Sequence, residues 1–349
     1  MEKTILVGLS GGVDSAVAAL LLHDAGVQVI GVTLQMMTNH DPEALEDARR
    51  VAAAIGIPHR VADMRARFRT EVMDVFALEY RGGRTPNPCV RCNRTVKWAG
   101  LLDAADECGA DGIATGHYAR VLRDENTGRY TIEESPGGKD QSYALCGLAQ
   151  AQLARTHMPL WGMTKAAVRG IAMSRGLPVA AKPDSQEICF VPDDDYAGFI
   201  TRHTGLADTP GNFLDMDGQV IGRHKGLAHY TIGQRKGLGA FGRPVFVTSL
   251  HPAENAIVLG AQADLLRTQL TAADVNYMAL TPADEALMSE DGLRAVGKIR
   301  YNQKPAPCAL FLREGVLQCV FDTPQRAITP GQAAVFYRDG LLLCAGKIV

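Results

Sequence analysis

The amino-acid sequence predicts an α/β domain built on a doubly wound parallel sheet, followed by a small connecting module and a compact all-β module. Three observations carry this. Short apolar runs alternate with segments of helical periodicity through the first half of the chain. A glycine-rich turn, Ser10-Gly11-Gly12-Val13-Asp14-Ser15, stands between the first apolar run and the first helical segment. After about residue 205 glycine becomes frequent, and the apolar runs turn β-branched or alternating.

Taken in order, residues 4–9 read as a buried strand, 14–25 as a helix stopped by Gly26, and 27–34 as a second strand. Residues 42–56 form an amphipathic helical pattern, 58–62 a strand, 65–80 and 94–109 helices, and 112–115 a strand. Strands separated by helices call for right-handed crossovers, hence a parallel sheet covered on both faces, with ligands at the strands' C-terminal ends. Helical signals continue through 165–175. Beyond them, 245–249, 256–260, 308–312 and 333–337 read as strands, and Asp217-Gly218 and Asp339-Gly340 read as turns. An acidic helical or loop interruption covers 281–293, and the all-β module runs from about 266 to the end. No solenoid repeat and no low-complexity stretch is present.

At 349 residues the chain holds about two domains' worth of sequence. With 46% apolar and 21% charged residues, it is no disordered tail, collagen-like chain or long coiled coil. The 36 Lys and Arg against 38 Asp and Glu exclude a uniformly basic nucleic-acid binder but leave room for local patches. Charge is in fact sorted into segments. Between residues 81 and 97 stand Arg81, Arg84, Arg91, Arg94 and Lys97 with no acid, and between 219 and 252 stand Arg223, Lys225, Arg235, Lys236 and Arg243, again with none. Residues 184–217 carry eight acids against Arg202 alone. Such segments read either as solvated loops or as a polyanion site. Eight cysteines are too dilute for a disulfide scaffold, so reduced thiols are expected. No secretory signal and no apolar run of membrane-spanning length is found, so a cytoplasmic protein without a membrane partner is the expectation.

The 10–15 turn is a phosphate cradle on physical grounds. Glycines let the backbone turn sharply and approach a ligand, while the N–H groups and positive dipole at a helix start favour an anion. It is neither a Walker loop nor G-x-G-x-x-G. Asp14 beside phosphates calls for a bridging Mg²⁺. Cys89 and Cys92 form C-x-x-C. As half a zinc site the pair lacks a completing C-x-x-C or H-x₃₋₅-H, and as a redox pair it is preceded by Pro86 and Pro88, which impose an extended lead-in. Flanking Arg91 and Arg94 would make Cys92 more acidic. Cys189, before Phe190-Val191, reads on its own as a core cysteine. Residues 237–242 match G-x-G-x-x-G but follow bases rather than a strand and precede Arg243-Pro244, which excludes a dinucleotide site.

Ser10-Gly11-Gly12-Val13-Asp14-Ser15 also resembles the pyrophosphate loop of ATP pyrophosphatases, which split ATP into AMP and pyrophosphate while adenylating a substrate. Six further blocks narrow the resemblance: Thr85-Pro-Asn-Pro-Cys-Val-Arg-Cys-Asn93, Ala114-Thr-Gly-His-Tyr-Ala-Arg120, Lys139-Asp-Gln-Ser-Tyr143, Asp184-Ser-Gln-Glu-Ile-Cys-Phe190, Tyr230-Thr-Ile-Gly-Gln-Arg-Lys-Gly237 and Pro330-Gly-Gln-Ala-Ala-Val-Phe-Tyr337. In this order they resemble the tRNA-specific 2-thiouridylase family. The resemblance implies an adenine-nucleotide-binding α/β domain at 1–200 with both catalytic cysteines, a small central tRNA-binding domain at 201–265 and a C-terminal β-barrel at 266–349. It implies 2-thiolation of the wobble uridine of tRNAs for Lys, Glu and Gln, with ATP, Mg²⁺, tRNA and a sulfur donor, either a cysteine desulfurase or a relay protein, as participants.

The same resemblance assigns residues. Cys92 becomes the nucleophile, Cys189 the persulfide carrier and Asp14 the Mg²⁺ and adenylation residue. Gly8, Leu9, Ser10, Gly11, Gly12, Val13, Asp14, Ser15, Leu34 and Gly116 would bind ATP, and Asn87, Pro88 and Cys89 the target base, some relatives having an acid at the position of Cys89. His117, Lys139, Asp140, Gln141, Arg300, Tyr301 and Gln332 would contact tRNA. Two rival functions remain, an ATP pyrophosphatase acting on a small metabolite and a non-catalytic tRNA-binding protein. Dependence of ATP turnover on RNA separates both from the thiolase.

Overall fold

A computed structural model describes residues 3–37, 42–183 and 188–349. The chain divides into two compact units that interleave in sequence: Met1–Val72 with Cys89–Gln186 and Asp339–Leu343, and Met73–Pro88 with Glu187–Arg338 and Cys344–Val349.

The first unit contains β1 (Thr4–Gly8), α1 (Val13–Asp24), β2 (Gln28–Gln35), α2 (Pro42–Ile55), β3 (His59–Asp63), α3 (Trp98–Cys108), β4 (Gly112–Ala114), β5 (Ala119–Arg123), β6 (Tyr130–Glu134), β7 (Thr156–His157) and α4 (Lys165–Ser174). The sheet order is β3-β2-β1-β4-β7, with every neighbouring pair parallel. β1 is central, which is why Ile5, Leu6 and Val7 are buried on both faces and read as one apolar run. The order places β2 and β3 on one side of β1 and β4 and β7 on the other. The strand order therefore reverses between β1 and β4, and in such sheets that crevice binds the ligand.

Three features of this unit differ from the sequence expectation. The 65–80 helix is broken into Arg65–Phe68, a π-helical stretch Arg69–Asp74 and Val75–Arg81, and its second half belongs to the other unit. The 94–109 helix likewise opens with a π-helical turn, Asn93–Lys97, before α3. Backbone with i→i+5 bonding has no periodicity signature that a 3.6-residue template can detect. The antiparallel hairpin β5–β6 was not foreseen, and Leu341 pairs with Glu133 along its edge.

The second unit contains α5 (Tyr196–Thr204) and two β modules. The first is the sheet β10-β11-β8-β9, made by β8 (Gly211–Leu214), β9 (Val220–His224), β10 (Phe246–His251) and β11 (Ala256–Gly260). Its core comprises Phe213, Tyr230, Val247, Ile257 and Leu259. The second module is formed by β12 (Leu266–Tyr277), β13 (Leu293–Lys298), β14 (Ala306–Arg313), β15 (Val316–Arg326), β16 (Ala333–Arg338) and β17 (Leu341–Ile348), the first three residues of β17 being counted with the first unit. They run in the order β12-β15-β14-β13-β16-β17, and pairing of β17 with β12 closes a six-stranded barrel. Closure removes exposed edges. The acidic interruption at 281–293 contains one short helix, Glu285–Met288. The 73–88 strap is fastened to this unit by aromatic packing: Phe76 meets Phe190 at 5.2 Å and Phe199 at 5.9 Å, and Tyr80 stacks on Tyr196 at 6.0 Å.

Candidate active site

The loop leaving β1 is built to expose backbone donors. Leu9 is tied to β2 at both ends, its N–H donating to the Val32 carbonyl at 2.8 Å and its carbonyl accepting from Thr33 Oγ1 at 2.8 Å. Ser15 Oγ accepts from the Ser10 N–H at 3.2 Å and donates to the Gly12 carbonyl at 3.0 Å, folding residues 10–15 into a closed turn. Gly12 is the N-cap of α1 and offers no side chain, so the first-turn N–H groups keep their dipole for an anion. Gly11 sits at φ +73°, and a Cβ there would lie 2.2 Å from the Ala44 carbonyl oxygen. Across the crevice, just past β4, a Cβ on Gly116 would lie 2.6 Å from the Asp14 carbonyl carbon and the Ser15 nitrogen. The two loops can approach only because that position is glycine.

Asp14 is the charged centre of the crevice. Its Oδ1 accepts from Tyr118 Oη at 2.7 Å and Lys165 Nζ at 2.7 Å, and its Oδ2 accepts from Lys139 Nζ at 3.3 Å. Lys139 also lies 4.9 Å from the centre of the fully buried Tyr118 ring. Two ammonium groups on one carboxylate leave the cradle net positive. The sequence reading assigned Lys139 to tRNA and missed Lys165. A signal for Lys165 did exist, because it opens α4 directly after the N-cap Thr164, whose Oγ1 accepts from the Ala167 N–H at 3.1 Å. A cation in a first helical turn opposes the helix dipole and calls for a partner.

The remaining residues fall into distinct settings. Leu34 lies near the C-terminal end of β2. His117 Nδ1 lies 3.0 Å from Thr115 Oγ1, and burial, helped by Lys97 and Lys139, pushes its pKa down to about 3. Gln141 exchanges hydrogen bonds with the Tyr118 backbone, accepting from its N–H at 3.0 Å through Oε1. Asp140 accepts from Ser135 N–H, Ser142 N–H and Ser142 Oγ, which makes it the organiser of that turn.

Cys89 and Cys92 lie on the short helix Pro88–Cys92. This corrects the extended reading at Pro88: residues 84–87 have no regular structure, and Pro88 occupies a first helical position where its missing N–H costs nothing. Cys89 is exposed, whereas Cys92 is only 6% exposed and its Sγ lies 4.0 Å from Met36 Sδ. Arg91 pairs with Glu71 at 2.7 Å, so its charge is not reserved for Cys92. Cys189 is exposed, which corrects its isolated reading as a core cysteine; the buried neighbour is Phe190. Asp184, Ser185, Gln186 and Glu187 of its block lie outside the described residues. Among the described residues no group of three or more His, Cys, Asp or Glu could hold a metal.

In the second unit, Arg300 Nη2 donates to the Ala327 carbonyl at 2.8 Å, Thr329 Oγ1 at 2.9 Å and the Ile232 carbonyl at 3.3 Å, and Tyr301 is exposed. Gln332 Nε2 donates to the Thr85 carbonyl at 2.8 Å, and the Thr85 N–H donates to the Pro330 carbonyl at 2.9 Å. Thr85 leads into Asn87 and Pro88.

A glycine-lined helix start whose Asp14 is met by two lysines from other segments, at the switch point of a parallel sheet, defines a nucleotide-type α/β domain, here joined to two β modules. Residues 3–193 match the tRNA methyl transferase HUP domain, 197–261 the tRNA methyl transferase PRC-barrel domain and 267–348 the aminomethyltransferase beta-barrel domain. The chain is 48% identical to the tRNA-specific 2-thiouridylase MnmA of Lachnoclostridium phytofermentans, over 99% of each chain. It is 47% identical to that of Pelotomaculum thermopropionicum over 100% of this chain and 98% of the other, and 46% to that of Heliobacterium modesticaldum over 100% and 93%. The chain belongs to the tRNA-specific 2-thiouridylase family, a family of tRNA sulfurtransferases. No helix among the described residues is long and apolar enough to cross a membrane.

Proposed function

We propose that this chain replaces the C2 oxygen of the wobble uridine in tRNAs for Lys, Glu and Gln with sulfur, using ATP to activate that oxygen. The observation that carries the reading is the positive phosphate cradle at the sheet's switch point, in the same compact unit as Cys92. The chemistry accounts for both. Oxide is a poor leaving group, and attack of the C2 oxygen on the α-phosphorus of ATP, with loss of pyrophosphate, converts it to AMP. The first-turn N–H groups of α1 and the nearby ammonium groups stabilise the departing negative charge.

Sulfur then comes from a persulfide on Cys189, loaded by a donor protein. Its terminal sulfur attacks C2, and AMP leaves with the original oxygen. The Cys92 thiolate attacks Cys189 Sγ, the S–S bond breaks toward the nucleoside, and 2-thiouridine departs with a Cys92–Cys189 disulfide left behind. An external thiol reduces that disulfide by two electrons. The exposure of Cys189 suits loading by a second protein, and the low exposure of Cys92 suits a thiol uncovered only when substrate is engaged. Asn87, Pro88 and Cys89 would face the base. Asp14 offers one carboxylate, the kind of single protein ligand Mg²⁺ accepts when phosphates and waters complete its shell, and the ion would supply further charge neutralisation.

The test is mass spectrometry of tRNA nucleosides after incubation with ATP and a persulfide donor. Sulfur gain on uridine is expected from the parent protein and is lost in both Cys92→Ser and Cys189→Ser, with tRNA retention on filters within about twofold of the parent. Full activity in either variant overturns the cysteine assignment. Pyrophosphate release that does not need RNA overturns the substrate.

A further inference from the structure

We infer that Lys165 and Lys139 are ligands of the ATP phosphates, held in place before nucleotide arrives by Asp14. The inference rests on the ATP-dependent reading above and adds to it the residues that recognise the polyphosphate. Three observations converge. Lys165 Nζ and Lys139 Nζ reach different oxygens of Asp14, at 2.7 and 3.3 Å, from two separate segments of chain. Lys165 stands in the first turn of α4, where a cation opposes the helix dipole and gains nothing from its own helix. Asp14 stands in the first turn of α1, beside a glycine N-cap with no side chain, a helix start that favours an anion.

The charges decide the direction of the argument. A lone carboxylate beside a polyphosphate would repel it, whereas a carboxylate carrying two ammonium groups presents net positive charge. A nucleoside triphosphate, with several negative oxygens, competes well for lysines that a single carboxylate holds. Tyr118 Oη, donating to Asp14 Oδ1 at 2.7 Å, stays as a neutral partner when the lysines turn to phosphate. Asp14 thus pre-positions two flexible side chains that would otherwise lose rotamer freedom on binding. Lys139 is thereby placed on the nucleotide side of the reaction rather than on tRNA.

The test separates ATP from AMP and both from tRNA. Equilibrium dialysis of ATP and of AMP, together with filter retention of tRNA, is carried out on the full-length parent, Lys165→Ala, Lys139→Ala and the stem-preserving Lys165→Gln, each checked for a parent-like thermal melt. Loss of a charge-assisted phosphate contact predicts about tenfold or greater weakening for ATP in each variant. AMP and tRNA binding should stay within about twofold. Unchanged ATP affinity in all variants overturns the inference, as does equal weakening for AMP. Weakened tRNA retention with unchanged ATP affinity in Lys139→Ala returns that residue to the RNA. A parent protein that binds no ATP overturns the underlying reading instead, and is told apart because the parent itself fails.

Discussion

Asp14 and His117 share one cation, Lys139, with opposite consequences. Asp14 draws Lys139 and Lys165 toward itself, whereas His117, near Lys97 and Lys139 and with its ring 5.3 Å from that of Trp98, is held neutral. Burial is the main cause of its shift, and the two lysines add to it. A histidine whose folded pKa falls from 6.5 to about 3 takes up its proton far more readily in the unfolded chain. Between those two values the unfolded state binds more protons, so stability rises with pH through the window and is fully present above 6.5. The expected slope is at most about 1.4 kcal/mol per pH unit for one proton. Urea unfolding at pH 7 and pH 5 checks this: His117→Gln should lose less stability on acidification than the parent. Equal losses would mean that the ring titrates normally in the folded protein. Because the ring stays uncharged at neutral pH, any contact it makes with RNA is a neutral hydrogen bond or a stack, not a phosphate ion pair.

At the scale of elements, legibility followed locality. The β1–loop–α1 unit could be read because a buried apolar run, two glycines and a helical pattern are adjacent in sequence. The β5–β6 hairpin escaped because its short strands, with arginines or glutamates at their ends, are completed by Leu341 and by the Leu342 carbonyl that accepts from Thr131 Oγ1, some two hundred residues downstream. Lys165 escaped for the same reason, since only the fold brings α4 to Asp14. The Pro330–Gln332 turn is a further long-range device. It holds Thr85 by both its N–H and its carbonyl, and Thr85 Oγ1 donates to Thr231 Oγ1 at 3.2 Å. Gln332 therefore acts in the free protein as a clamp on the strap that leads into Asn87 and the Pro88–Cys92 helix. Removing one such hydrogen bond costs about 1 kcal/mol, or roughly fivefold in local opening. Gln332→Ala should raise trypsin cleavage after Arg81 and Arg84 by about that factor without tRNA present. Unchanged cleavage would leave Gln332 with no role in the free protein.

Across the whole molecule, charge is sorted along the chain and the two units interleave in sequence. The acid-free stretch at 81–97 is partly neutralised from outside, Arg84 by Glu79 at 2.7 Å and Arg91 by Glu71 at 2.7 Å. In the acidic stretch, Arg202 lies 3.7 Å from Asp193 and 3.4 Å from Asp195, and His229 lies 2.8 Å from Asp208. Part of the sorted charge is thus neutralised locally by ion pairs. Interleaving makes a sharper prediction about a boundary drawn at residue 200. A fragment of residues 1–200 keeps the cradle and both candidate cysteines, but the 73–88 strap loses the Thr231 and Pro330–Gln332 contacts and the Lys347 ammonium that lies 3.7 Å from the largely buried Glu79. The β5–β6 hairpin loses Leu341 and the carbonyl that satisfies the buried Thr131 hydroxyl. Each unsatisfied buried group costs about 1–3 kcal/mol, and 1 kcal/mol is worth roughly 2–4 °C in a domain of this size. The fragment should therefore melt about 10 °C or more below the full chain and be cut rapidly by trypsin at Arg81 and Arg84. A fragment as heat-stable and trypsin-resistant as the full chain would show that the first 200 residues fold autonomously and that the strap contributes nothing to holding them.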